Sequence, residues 1–96
     1  MPEPRSAATI EFGRRIRAAR QALGLSQEKI ADISGIHWSY WGQIERGVRN
    51  VAFSNILKIS RALNVEPGAL MDGLPDPDRP PAKPVSPRAR PRSPKR

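Results

Sequence analysis

Side chains able to do covalent or metal chemistry are scarce in this sequence. It has no cysteine and a single histidine, His37. That excludes disulfides, thiolate zinc sites and cysteine nucleophiles, and His37 has no second imidazole to complete a metal site. No pair of carboxylates is set out for acid–base work, and no glycine-rich loop of the phosphate-cradling type occurs. An enzyme is the poorest reading, and no cofactor is expected. What the chain has is charge: 17 Lys and Arg against 9 Asp and Glu, net +8 over 96 residues. Residues 1–73 hold 10 basic and 7 acidic side chains, whereas residues 74–96 hold 7 and 2. A basic excess favours a polyanionic partner, either nucleic acid or an anionic membrane surface. No run approaches membrane-spanning length, and the opening MPEPRSAATIEF lacks the apolar core of a signal peptide. A soluble, cytoplasmic and nucleoid-associated protein is the expectation.

Recognition chemistry concentrates between Gln27 and Arg46, QEKIADISGIHWSYWGQIER. Ser26 is a favoured N-cap and Glu28 suits the positive end of a helix starting there, with Ile30, Ala31 and Ile33 as its buried face. Ser34-Gly35-Ile36 interrupts the pattern, and Gly35 is the residue best able to take a positive φ. Tyr40, Trp41 and Ile44 then mark another helix, stopped by Gly47. Two short helices over a turn of three or four residues make a helix-turn-helix, whose second helix can enter a DNA groove. Ala31 is small enough for a close crossing, and Ile30, Ile36, Trp41 and Ile44 are apolar where the angle must be fixed. Trp38, Ser39, Gly42 and Gln43 are left facing outward.

The remaining elements must hold that pair. Residues 1–8 read as an N-terminal arm, followed by a helix from Thr9, its candidate N-cap, to Gly24. Phe12, Ile16, Ala19 and Leu23 form its apolar stripe. Phe53, Ile56, Leu57, Ile59 and Leu63 give a fourth helix ending at Asn64, and Glu66–Met71 fits a short fifth with Pro67 at its first position. Residues 9–73 thus form one all-α, compact five-helix domain. Residues 74–96 hold 8 of the 11 prolines and are expected to be a disordered basic tail, unable to offset ordering entropy by burial.

Three stretches carry a family resemblance: IRAARQALGLSQEKIADISGI, SYWGQIERGVRN and ILKISRALNVEPGAL. Together they resemble the lambda-repressor/Cro-like helix-turn-helix regulators, the xenobiotic-response-element family, over about Phe12 to Met71. ERGVRNV followed by NILKI also resembles the small controller proteins of restriction–modification systems, a pattern many family members share. The resemblance implies a lambda-repressor-like fold and a transcriptional regulator that binds double-stranded DNA as a homodimer. By the same resemblance Trp38, Ser39 and Gln43 fall on base-reading positions, while Gln27, Arg46, Arg49 and Asn50 fall on phosphate-gripping ones. Arg20 and Glu45 match a family ion pair. Gln43 is suited to pair bidentately with adenine in the major groove.

Four positions depart from the family pattern. His37 stands where Ser or Thr usually caps the recognition helix, although its ring could donate to a phosphate. Trp38 is large and apolar at a usually polar position, Trp41 replaces Leu or Ile and requires repacking, and Ala52 stands at a usual capping Ser or Thr. Val65, Leu70, Met71 and Leu74 are the candidates for a dimer contact. In the tail, SPRARPRSPKR would attract phosphate non-specifically, and Ser86 and Ser93 precede prolines and could be phosphorylated. The rival reading is a protein-interaction module or antitoxin-like subunit, which an exposed Trp38 would favour.

Overall fold

In the computed structural model, residues 4–81 are described. Five helices follow one another: α1 (Ala7–Ala22), α2 (Gln27–Ser34), α3 (Trp38–Glu45), α4 (Phe53–Leu63) and α5 (Pro67–Met71). The long α1 packs on α3, α4 and α5, and α2 packs on α3 and α4. One core results, with Ile16, Ile30, Trp41, Ile44, Ile59 and Leu63 wholly buried. Each helix contributes an apolar stripe, and the all-α five-helix architecture follows from joining those stripes.

Helix starts and stops have local causes. Ser26 Oγ accepts from the Lys29 N–H at 3.0 Å and caps α2. Gly35 takes φ +78° at the end of α2, the left-handed turn that a side chain would oppose. Asn64 ends α4 in the same conformation at φ 58°, and Pro67 opens α5.

Several expectations are corrected. The first helix starts at Ala7, not Thr9. Ser6 is the N-cap, its Oγ accepting from the Thr9 N–H at 3.1 Å, while Thr9 Oγ1 accepts from the Ser6 N–H at 3.0 Å. Two hydroxyls thus form a reciprocal capping box, and Ser6 is buried within what read as a loose arm. Ile33 is 52 % exposed because the inward face of α2 is Gln27, Ile30, Ala31 and Ser34, at i, i+3, i+4 and i+7, and Ile33 lies off it. Leu23 is also exposed, as the C-cap of α1, and Phe53 is 75 % exposed as the first residue of α4, ahead of its buried positions Ile59, Ser60 and Leu63. Leu70, a candidate for a dimer contact, is a core residue of this chain at 3 % exposure.

The segment after α5 also differs from a tail. Residues 74–81 run back over the domain, with Leu74 half-buried against the core and the Arg79 carbonyl accepting from the Ala7 N–H at 3.1 Å. That bond satisfies one of the donors left open at the start of α1. The expectations for residues 82–96, disorder, phosphate attraction and phosphorylation at Ser86 and Ser93, lie outside the described residues. Among the described residues no helix is long and apolar enough to cross a membrane.

Candidate nucleic-acid interface

Helix α3 is held by a buried polar knot. Glu45, with 2 % of its side chain exposed, receives Arg20 in a two-pronged pair: Nε on Oε2 at 2.6 Å and Nη2 on Oε1 at 3.0 Å. Gln27 Nε2 donates to the same Oε1 at 2.8 Å, and Trp41 Nε1 donates to Oε2 at 2.6 Å. Arg20 also donates to the Leu25 carbonyl at 2.8 Å. One carboxylate therefore joins α1, the α1–α2 turn, the first residue of α2 and two turns of α3. Burial alone would raise the Glu45 pKa, yet the donors from Arg20, Gln27 and Trp41 outweigh it and hold the carboxyl below its ordinary value. Arg20 is raised in turn, chiefly by its hydrogen bond to Glu45.

The knot explains two sequence features. Trp41 is accommodated where a smaller aliphatic was expected because its indole N–H finds a buried acceptor one turn along its own helix. Gln27 joins α2 to α3 through Glu45, so its amide is a structural link before it is anything else. Its carbonyl oxygen and the Arg46 guanidinium both lie over Gly42, at 3.5 and 3.3 Å from where a β-carbon would stand. Gly42 is buried beneath them, which corrects the expectation that it faces outward.

Close approach of α1 to the end of α3 needs two further glycines: Gly13, which sequence reasoning missed, and Gly47, read from sequence only as the stop of the third helix. A β-carbon on Gly13 would meet the Ile44 carbonyl and stand 2.6 Å from the Glu45 carbonyl oxygen. Gly47, at φ +78°, would place one 2.8 Å from the Ile10 Cα. The Gly47 carbonyl accepts from Thr9 Oγ1 at 2.7 Å and from the Arg5 N–H at 2.9 Å. The available signal for Gly13 was its place inside a strong helical pattern, where glycine costs about 1 kcal/mol relative to alanine.

On the outer side, α3 begins at His37, which does cap it: Nδ1 accepts from the Ser39 N–H at 3.2 Å. That contact uses Nδ1 as an acceptor, which places the ring proton of a neutral His37 on Nε2. Trp38, 55 % exposed, stacks beside the His37 ring with centroids 6.0 Å apart. Ser39 is exposed and Gln43 is half-buried one turn on. Arg49, in the loop after α3, donates from Nε to Gln43 Oε1 at 2.6 Å and lays its guanidinium over the Tyr40 ring at 5.5 Å. Arg46 and Asn50 are exposed on the same stretch. All the expected site residues fall on α3 or the elements that flank it; Arg20 and Glu45 alone are withdrawn into the interior. Tyr40, read from sequence as an apolar marker, is the platform for Arg49.

Residues 16–70 match the family described as Helix-turn-helix. The chain is 47 % identical over 62 residues to the control protein C.BamHI of Bacillus amyloliquefaciens, covering 64 % of this chain and 76 % of that one. The restriction–modification controller protein C.AhdI of Aeromonas hydrophila is similar in structure, with TM-score 0.63 and 52 % identity over 65 % of this chain and 94 % of the other. The P22 c2 repressor, solved in complex with a synthetic operator, gives TM-score 0.61 and 32 % identity over 65 % of this chain and 94 % of its own. A matched span covering more than half the chain, on a fold whose exposed recognition helix is braced from behind, settles the assignment. The chain belongs to the lambda-repressor-like helix-turn-helix family of DNA-binding transcriptional regulators.

Proposed function

We propose that this regulator reads double-stranded DNA sequence-specifically, with α3 in the major groove. Trp38, Ser39 and Gln43 meet base edges, while Gln27, His37, Arg46, Arg49 and Asn50 grip phosphates on either side. The observation that carries this reading is the bracing of α3 by the buried Glu45 knot, which leaves its outer face free and rigid. Trp38 cannot make paired hydrogen bonds, so its part is apolar contact with a thymine methyl or with sugar. Likeness to the control protein C.BamHI and the controller C.AhdI supports a role in setting the expression of restriction–modification genes.

A homodimer is part of the proposal, because two recognition helices one DNA turn apart match a pseudo-palindromic site. Met71, exposed, with Val65 and Leu74, half-buried, are the apolar side chains offered for that contact. The test is selection of binding sites from random duplexes, followed by titration at two salt concentrations. A specific reader prefers its site by about 10³-fold or more over random sequence, with half-sites spaced by about one helical turn. If selection enriches no sequence, the reading fails. A second reading, a partner-binding module, is favoured by the exposed aromatic rings of Trp38 and Phe53. A heteromeric complex that survives nuclease treatment and buries Trp38 would replace the DNA reading with that one.

A further inference from the structure

Arg49 and Gln43 sit in contact, although separate tasks, phosphate grip and base reading, would have kept them apart. Arg49 Nε lies 2.6 Å from the Gln43 side-chain amide. An arginine side chain only donates hydrogen bonds, so the amide atom facing it must be the oxygen. The Tyr40 ring lies 5.5 Å beneath the Arg49 Cζ, an attraction that draws the arginine toward the ring beside Gln43. The backbone adds a second tether, since the Gln43 carbonyl accepts from the Val48 N–H at 3.1 Å and sets where the loop carrying Arg49 leaves α3.

We propose that Arg49 is a specificity-determining positioning residue, holding the Gln43 amide with its oxygen turned to the loop and its two N–H groups turned outward. The inference rests on the reading of α3 as the base-contacting helix. A free glutamine suits adenine, because its oxygen accepts from the adenine N6 amino group while its nitrogen donates to N7. With that oxygen turned toward Arg49, the groups the pair directs outward are donors, the Gln43 Nε2 N–H groups and the remaining guanidinium N–H groups. Guanine offers two acceptors, O6 and N7, at the same edge, whereas the adenine amino group would face donors without a partner. The Gln43 position therefore selects guanine over adenine, and the choice is made by a residue outside the recognition helix.

The experiment is site selection with the full chain, its Gln43→Ala variant and its Arg49→Ala variant, followed by titration of duplexes differing at one base pair. The pair whose preference vanishes in Gln43→Ala defines the position. The expected result is a preference for guanine over adenine there of at least about fivefold in the unaltered chain. In Arg49→Ala that preference is lost or reversed toward adenine at this pair alone, with the thermal midpoint unchanged and Tyr40→Phe retaining the original profile. An Arg49→Ala variant that binds every duplex more weakly by one factor, with its profile intact and a salt slope shallower by about 0.9, makes Arg49 a phosphate grip only and overturns the proposal. Adenine preference in the unaltered chain overturns it as well. Failure of the unaltered chain to enrich any site is a distinct outcome, which removes the DNA-reading proposal itself.

Discussion

Two clusters on α3 use nearly the same residue types for opposite ends. The inner one joins Arg20, Gln27, Glu45 and Trp41 around a buried carboxylate. The outer one joins Arg49, Gln43 and Tyr40 in contact with solvent. Inside, every polar atom removed from water must find a partner, so the cluster is all-or-none and acts as a strut. Outside, water can replace any lost partner, so breaking the cluster costs little stability and changes only what the surface presents. Burial, rather than residue type, decides whether such a cluster determines shape or recognition.

The largest effect comes from breaking the inner cluster. Glu45→Ala leaves the Arg20 guanidinium, 11 % exposed, without its counter-charge and the buried Trp41 N–H without an acceptor. Removing one partner of a buried pair costs about 3–5 kcal/mol, a large share of the ~5–15 kcal/mol that stabilises a typical domain. Arg49→Ala should stay within about 0.5 kcal/mol of the unaltered chain, as surface substitutions do. Urea unfolding of both variants tests the contrast, and equal losses would break it. Acid sharpens the same point. The Glu45 pKa is lower folded than unfolded, so its stabilisation is complete above the ordinary value of 4.5 and is lost as pH falls through the depressed folded value. Unfolding midpoints measured downward from pH 6 should fall below about pH 4.5, and Glu45→Gln should flatten that dependence.

Next in size is the contact that seats the inner cluster. Gly13→Ala drives a methyl against the carbonyls of Ile44 and Glu45, so α1 and α3 must separate. Overpacking of this kind costs about 1–3 kcal/mol. Because α3 shifts, affinity for a selected duplex should fall together with the thermal midpoint. Stability lost with affinity intact would show that α3 keeps its place without this close approach.

Why Gly13 escaped sequence reasoning while Gly35 did not is a question of range. Gly35 sits at a break between two periodic stretches, and its positive φ serves the residues beside it. Gly13 serves α3, some thirty residues away, and nothing adjacent to it signals that neighbour. The same divide separates the rest. Ile16, Ile30, Ile44 and Ile59 were legible as core because periodicity marks an apolar face, but Ile33 and Phe53 were misassigned because periodicity does not say where a neighbour ends. The Arg20–Glu45 pair was legible through its family pattern, whereas the bonds from Gln27 and Trp41 to the same carboxylate were not. Residues 74–81 were misread because proline-rich composition conceals a backbone carbonyl, that of Arg79, which docks on α1. The exposed site residues were named through resemblance, and their mutual contact was not, since a six-residue separation outside regular helix carries no fixed geometry.

The smallest effect concerns a third cluster, the second to pair arginine with a carboxylate, which isolates burial as the variable. Glu11 accepts from Arg14 Nη2 at 2.7 Å and from Arg15 Nε at 2.9 Å, geometry as good as that of Arg20 and Glu45. Hydrogen bonds from Arg14 and then Arg15 hold its pKa at about 2. Its contribution is thus present above 4.5 and lost as pH falls toward 2, but solvent and salt screen it. The two arginines are not equivalent. Arg14 makes only the carboxylate contact among the described bonds, whereas Arg15 Nη1 also donates to the carbonyls of Leu70 at 3.1 Å and Asp72 at 2.7 Å, closing the end of α5. Arg15→Ala should therefore cost about 1 kcal/mol and persist at high salt, because open helix carbonyls lose a charged donor. Arg14→Ala should leave the unfolding midpoint unchanged once salt is raised. If the two substitutions behave alike at every ionic strength, the carboxylate, and not the end of α5, is what Arg15 serves.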